Sequence, residues 1–395
     1  MASPWSHEEL NMVRTRLVMA ALEVHKAFIN QTKKKIRNNL RLLMDYFVGK
    51  VPFGTIQPYL ETLWGTFHLI VPIVSTTFAS FATMYRGMGR ESIGWLFIDE
   101  AGQAVPQAAL GAIWRSKRVV VVGDPLQIEP VVTIHDRIIE VFKNKYQLNE
   151  FVANKSCSVQ TIADVANKYG TYLGEDDYKS WVGSPLFVHR RCIDPMFSIS
   201  NRVAYDDLMV MGTMEPPSST IYAFDKSFWL DIKGKIAGRH WVPEQGIEIV
   251  KIVIRAFKRS NRELPSLYII SPFTEVTYKL ADLLKQSYSK IDKLVSKEEY
   301  HSWIRNSVGT VHTFQGKQAD NVIFCLGLDI TSNGSADWAS KKPNLLNVAA
   351  SRAKYRFCIV GDIDIWGEKP HFKVARQVLP VLNKSKNGEY TFIDR

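Results

Sequence analysis

The chain has 395 residues, 46% hydrophobic and 23% charged, which is a globular composition long enough for two domains. Fifty Lys and Arg against 39 Asp and Glu leave a net charge of +11, a balance that favours a polyanionic partner. Cys157, Cys192, Cys325 and Cys358 stand far apart with no CxxC pair, a spacing that suggests neither a disulfide framework nor a zinc site and fits a reduced, cytoplasmic setting. No apolar run approaches the roughly 18–20 residues that cross a bilayer, so no membrane partner is expected.

In chain order, residues 8–48 carry the helical period. Val13, Leu17, Ala21, Val24 and Phe28 share one stripe, and Ile36, Leu40, Leu43 and Phe47 a second, with KKKIR (33–37) between them. Nine Lys/Arg against four Asp/Glu over residues 1–60 read as a solvated helical face. From residue 69 short apolar runs alternate with amphipathic stretches: LIVPIVST (69–76), WLFID (95–99) and KRVVVVGD (117–124). WVGSPL (181–186) reads as a linker. STIYAF (219–224), SLYIIS (266–271), VGTVHT (308–313), NVIFCLG (321–327) and RFCIVGD (356–362) follow, with MEPPSST (214–220) and TSNGSADWASKKP (331–343) as loops. This pattern predicts parallel sheets covered by helices, an α/β chain of two domains in tandem.

LFIDEAGQA (96–104) places two acids at the end of an apolar run. Their charges must emerge at the strand's C-terminal edge, where open α/β sheets hold ligands. Taken singly this motif is an ordinary strand end, and GDPLQIEP (123–130), RRCIDP (190–195) and ASRAK (350–354) are equally plain. In order, however, IVSTTFAS (73–80), LFIDEAGQA, VVVVGDPLQIEP, HRRCIDPMFSISNRVAY (189–205), GTVHTFQGKQAD (309–320) and NLLNVAASRAKYRFCIVGD (344–362) form a set. That set resembles the superfamily 1 helicases, in the branch of the nonsense-mediated-decay RNA helicase and the replication-associated nuclease-helicase, over residues 71–365.

The resemblance implies two RecA-like parallel-sheet domains with ATP between them and single-stranded DNA or RNA across both. Residues 1–68 would be a helical arm, 69–183 a partial first domain and 184–395 the second. By match to the family's motifs, Asp99 would hold Mg²⁺ and Glu100 would orient the attacking water, a division that suits neighbouring acids. Gln127 would sense the γ-phosphate, with Asp124 beside it at the nucleotide. Arg191 and Arg352 would reach the γ-phosphate, where a planar guanidinium donates several hydrogen bonds. Gln315 and Gly316 would lie near the ATP. Thr76, Thr77, Thr310 and Thr313 would touch nucleic-acid phosphates, or simply satisfy local backbone. Phe78 and Phe273 would stack on bases or belong to the core.

Two features depart from the family. GxxxxGK[ST] is missing, because Gly49-Lys50, Gly234-Lys235 and Gly316-Lys317 are followed by Val51, Ile236 and Gln318. Without that loop there is no backbone nest for the phosphates. Gln318 also stands where Glu is common. The expectation is therefore the C-terminal portion of an ATP-dependent 5′→3′ helicase, starting inside its first domain and inactive alone. Its phosphate loop would come from a missing N-terminal part or a partner. The alternative is a nucleic-acid-binding or regulatory protein that keeps the fold without turnover.

Overall fold

The computed structural model describes residues 7–149, 151–173, 179–260, 263–384 and 390–392, so residues 1–6 of the expected arm lie outside the described residues. The chain divides into two compact units, residues 1–97 with 107–120, and residues 98–106 with 121–395.

In the first unit, α1 (Glu8–Phe47) is one helix of 40 residues, continuous through the KKKIR segment. Of its second stripe Ile36 and Leu43 are buried, while Phe47 is exposed. Leu43 packs with Leu60, Leu63 and Trp64 of α2 (Leu60–Ile70) and, with them, Phe81 of α3 (Phe78–Met84) and Tyr85. Val13, Leu17, Val24 and Phe28 of the first stripe are exposed. A helical period thus identified the helix correctly but not which half of it meets a core. LIVPIVST is not a strand: α2 runs to Ile70, and residues 71–77 join no ladder. Pro72 has no N–H to give a ladder. WLFID and KRVVVVGD do form strands, β1 (Ile93–Ile98) and β2 (Ser116–Val121), which make a two-stranded sheet. The helix α4 (Pro106–Trp114) lies between them in sequence.

The second unit is built on seven strands: β3 (Phe228–Asp231), β4 (Leu267–Ser271), β5 (Val308–Thr310), β6 (Ala319–Cys325), β7 (Ala353–Gly361), β8 (Val381–Lys384) and β9 (Tyr390–Phe392). Their order is β9-β8-β3-β7-β6-β4-β5, parallel throughout except for the edge pair β8–β9. Ile323 pairs with Cys358 on one side and Ile269 on the other. Val322, Ile323, Phe324, Phe357, Cys358, Ile359 and Val360 are all wholly buried, as a sheet covered on both faces requires. Ile249, Ile252, Val253, Ala256 and Phe257 bury one face of α5 (Pro243–Arg259). That helix starts on Pro243 and ends on Lys258 and Arg259, in keeping with its dipole. The α/β class expected from the sequence is the one found.

STIYAF forms no strand. FWLD, four residues downstream, takes the sheet position instead. TSNGSADWASKKP is not a loop either. Its Asn333–Ser340 segment is helical because Ala336, Ala339 and Ser340 recur at helical spacing and are buried. Trp181 and Val182 of the expected linker belong to a strand, Ser180–Val182, paired antiparallel with Thr171–Leu173. The four cysteines are free and buried.

Candidate nucleotide site

Asp99 and Glu100 leave the end of β1 in a tight reversal. Glu100 has φ 51° and ψ 39°, a left-handed conformation uncommon outside glycine, and its N–H donates to Asp99 Oδ1 at 2.9 Å. The following turn, Ala101–Gln103, then runs directly against the Gly123–Gln127 loop. A Cβ on Gly102 would stand 2.9 Å from Asp124 O, and one on Gly123 would stand 2.9 Å from the amides of Ala101 and Gly102. Only glycine at both positions permits this approach, which brings the acids of one motif beside the amide of the next.

Around that junction the predicted residues converge. Gln103 Nε2 and Gln315 Nε2 donate to Glu100 Oε2 at 3.1 and 3.4 Å. Gly316 lies beyond, where a Cβ would meet Glu100 Oε1 at 3.4 Å. Gln127 Nε2 donates to Asp124 Oδ2 at 2.9 Å, while its Oε1 accepts from Arg352 Nη2 at 3.4 Å. Arg352 is fully buried, and its other donors reach Val348 O, Lys317 O and Ser351 Oγ. All four acceptors are neutral. Burial and the like charge of Arg191 pull the Arg352 pKa down to about 10, so it stays charged near neutral pH. An anion between the two guanidiniums would relieve that repulsion. Asp99, exposed, offers its carboxylate outward.

Sequence reasoning missed the residues that hold the site together. Tyr205 OH donates to Asp124, and burial and that carboxylate hold the phenol well above its usual range. Asn347 Nδ2 donates to Leu126 O at 3.2 Å and to Tyr205 OH at 3.1 Å, and Ser200 Oγ donates to Asn347 Oδ1. Asn344 Nδ2 donates to Gln127 O, and Lys342 pairs with Glu129 at 2.6 Å. Tyr205, Asn344 and Asn347 all lie inside quoted motifs. Buried amides on an otherwise apolar helix were the available signal. Beside Arg191, His189 Nε2 accepts from Cys192 N at 3.0 Å and meets Cys192 Sγ at 2.8 Å. Burial pushes the Cys192 thiol up to about 12 and His189 down.

The threonines have local partners. Thr77 caps α3 by accepting from Ser80 N, Thr76 Oγ1 lies 3.4 Å from Thr77 O, and Thr310 Oγ1 lies 3.2 Å from Thr313 Oγ1. Phe78 packs against the first unit's core, and Phe273 is buried against His240. Both are core aromatics.

The donor set fits the γ-phosphate end of a nucleoside triphosphate and its cation. Gln315 Oε1 is a buried acceptor with no partner, as a site for a water or cation ligand would leave it. Among the described residues no group of three or more His, Cys, Asp or Glu is arranged around a metal. A cation on Asp99 would therefore take most of its ligands from phosphates and water, the usual habit of Mg²⁺.

Two family models described as AAA domain match the chain, over residues 69–134 and 191–364, stretches that hold the paired acids and both arginines of this junction. Together these matches are consistent with a superfamily 1 helicase of the branch its ordered motifs resemble. The mouse probable helicase senataxin is 21% identical over 365 residues, covering 89% of this chain and 12% of that protein. The DNA polymerase alpha-associated DNA helicase A of Schizosaccharomyces pombe is 23% identical over 314 residues, 74% of this chain and 41% of its own. The mouse DNA replication ATP-dependent helicase/nuclease DNA2 is 23% identical over 317 residues, 77% and 27% respectively. The chain thus spans less than half the length of each. The solved structure of PRRSV helicase aligns at 12% identity with a TM-score of 0.30, covering 68% of this chain and 36% of that one.

Proposed function

We propose that these residues form the C-terminal portion of the core of an ATP-dependent, 5′→3′ helicase or translocase acting on single-stranded DNA or RNA, with Mg²⁺·ATP as its fuel. Residues 69–183 and 184–395 would serve as its two ATPase domains. The phosphate-gripping GxxxxGK[ST] loop would come from outside these 395 residues. The observation that carries the reading is the junction of Glu100, Gln127, Gln315 and Arg352, residues that stand far apart in sequence yet form two hydrogen-bonded pairs, Gln315 with Glu100 and Arg352 with Gln127, with the Glu100 carboxylate acting electrostatically on Arg352. Glu100 would orient and polarise water, Asp99 would hold the cation, and Arg191 and Arg352 would stabilise charge as the γ-phosphate leaves. Gln127, bonded to both Asp124 and Arg352, would report whether that phosphate is present.

The test is phosphate release with and without single-stranded oligonucleotide. These 395 residues alone should give negligible turnover. A longer chain that includes an upstream phosphate loop should turn over and be stimulated by nucleic acid. In it, Glu100→Gln should keep nucleotide binding while lowering turnover on the order of 10²–10⁴-fold, the range for a lost general base. Full activity in that variant would sink the assignment. The absence of the loop favours a second reading, a nucleic-acid-binding or regulatory chain without turnover. A longer chain that binds oligonucleotide but never hydrolyses ATP would establish it.

A further inference from the structure

STIYAF (219–224) is apolar enough for a strand yet joins no ladder, and side chains fix its backbone instead. Ala223 N donates at 3.0 Å to Oδ1 of Asn321, a buried asparagine of β6 whose Nδ2 donates to Ser266 O. Arg356 Nε donates to Asp225 O at 3.0 Å, and its guanidinium lies over the Tyr222 ring, 4.0 Å from the centroid. Arg259 grips the Asp225 carboxylate with both terminal nitrogens, at 2.9 and 3.2 Å, and holds its pKa below the usual carboxylate range. Strands β6 and β7 and helix α5 thus each commit a polar side chain to this segment, which keeps Ile221, Asp225 and Lys226 exposed.

The segment helps to enclose a cavity of about 310 Å³ between the C-terminal half of α5 and the strands β3 and β8. Phe224, Phe228, Leu230, Ile252 and Leu382 form its apolar wall, the first two rings meeting edge to face at 5.4 Å. Among the described residues that line it, Lys226, Arg255 and Arg259 stand against Asp225, a net +2. A second hollow of about 360 Å³ adjoins the same segment, and Ala223 lines both. Exposed Ile221 and Leu264 edge it, and Glu263 and Asp320 give it acids where the first has cations. Among the described residues, none from the nucleotide junction lines either hollow.

We infer that these hollows dock an acidic peptide segment of a partner protein. It would insert one bulky apolar side chain into the first cavity and set neighbouring carboxylates on Arg255 and Lys226. An apolar concavity rimmed by cations complements that chemistry in both shape and charge. A peptide can confine its acids to one end. A nucleic-acid strand would bring a phosphate to every step, and so to Glu263 and Asp320 as well. The extent of the surface favours a chain over a small ligand. The first cavity alone stands at the lower limit for small-molecule sites, whereas an extended peptide sends same-face side chains about 7 Å apart toward both hollows. The rim is already ordered, which lowers the entropy cost of docking. Arg259, paired with Asp225, would hold that rim in place rather than meet the partner.

The test needs no turnover and uses the 395-residue chain. Short random peptides displayed on phage and selected on it should enrich sequences with a bulky apolar residue beside Asp or Glu. Fluorescence anisotropy of the enriched peptide, labelled, then reads the site. Alanine in place of its apolar residue should weaken binding roughly 30-fold or more, the mark of a buried anchor. Arg255→Glu, an exposed change on α5, should weaken binding about 5-fold at low salt and less at high salt. Lys33→Glu on α1 makes the same charge change in the other unit and should leave affinity in place. Leu382→Trp should fill the cavity and block the anchor. Because Arg255 is exposed, its variant should keep the wild-type melting temperature and decides the matter if Leu382→Trp fails to fold. Enrichment of no such sequence, or equal affinity for the wild-type and Arg255→Glu chains, would overturn the site. Displacement of the peptide by single-stranded oligothymidylate, with Arg255→Glu weakening that oligonucleotide as much, would also overturn it and give the cavity to nucleic acid.

Discussion

Asn347 grips Leu126 and Tyr205 with the same amide nitrogen, donating to the carbonyl of one at 3.2 Å and the hydroxyl of the other at 3.1 Å. The residues are 221 and 142 positions away in sequence, and all three sites are buried or nearly so. With Ser200 on its Oδ1, this side chain is satisfied at both ends. Asn347→Ala would strand the Ser200 hydroxyl and the Leu126 carbonyl. Urea unfolding should show a loss of about 1–3 kcal/mol, the cost of leaving buried polar groups unpaired.

Tyr205→Phe removes the donor to Asp124 and the acceptor for Asn347 while keeping the ring. The two substitutions share one network, so their costs should not add. A double-mutant cycle should give a coupling of about 0.5–3 kcal/mol, and strict additivity would show that the network is not energetically joined.

Arg352→Lys keeps a positive charge but cannot supply the planar fork that reaches Lys317 O, Gln127 Oε1 and Ser351 Oγ together. In a chain completed with a phosphate loop, turnover should fall by about 10²–10³-fold, as for loss of one transition-state donor. Nucleotide affinity should change far less. A parallel fall in both would mean that the side chain binds ground and transition states alike.

His189 lies below its ordinary range because burial disfavours the imidazolium and Arg191 adds a like charge. The unfolded chain therefore takes up a proton near pH 6.5 that the native chain refuses until lower pH. Stability should drop as pH falls below about 6.5 and level off once pH is below the folded value. His189→Gln keeps an acceptor for Cys192 N without the titration, so its melting temperature should vary less over that window. Some slope should remain, since His312 is also lowered by burial.

The first unit offers a contrast in protection. Ile93–Ile98 and Ser116–Val121 form only a two-stranded sheet, whereas β6 and β7 sit inside seven strands. Two strands alone are marginal in water. Hydrogen exchange should find the amides of Trp95 and Phe97, both exposed, far less protected than those of Ile323 and Ile359.

Legibility in the sequence followed the range of the forces involved. NVIFCLG and RFCIVGD were readable because a strand buried on both faces must be apolar at every position, a local signature. FWLD was not, being four residues long and placed by its neighbours Cys358 and Val381 rather than by its own pattern. The Asn333–Ser340 helix was hidden by Gly, Ser, Asn and Asp, since its alanine face is decided by what it packs against. At the site, acids and arginines were legible because their motifs recur in order. Tyr205, Asn344 and Asn347 were not, because a supporting hydrogen bond leaves no mark on the residues next to it in the chain.

The Asn344–Ser351 helix carries both asparagines that clasp the Leu126–Gln127 backbone, and Arg352 follows at its end. Any shift of that helix must carry the arginine and the glutamine loop together. The two cannot drift out of register by thermal jostling of one side chain; they are geared to a single shaft. A ligand that moved Arg352 by even part of an ångström would tug on Gln127 and, through Asp124 and Tyr205, on the Met196–Ala204 helix. Chemistry at one phosphate would thereby reach a second helix of the unit as mechanical displacement.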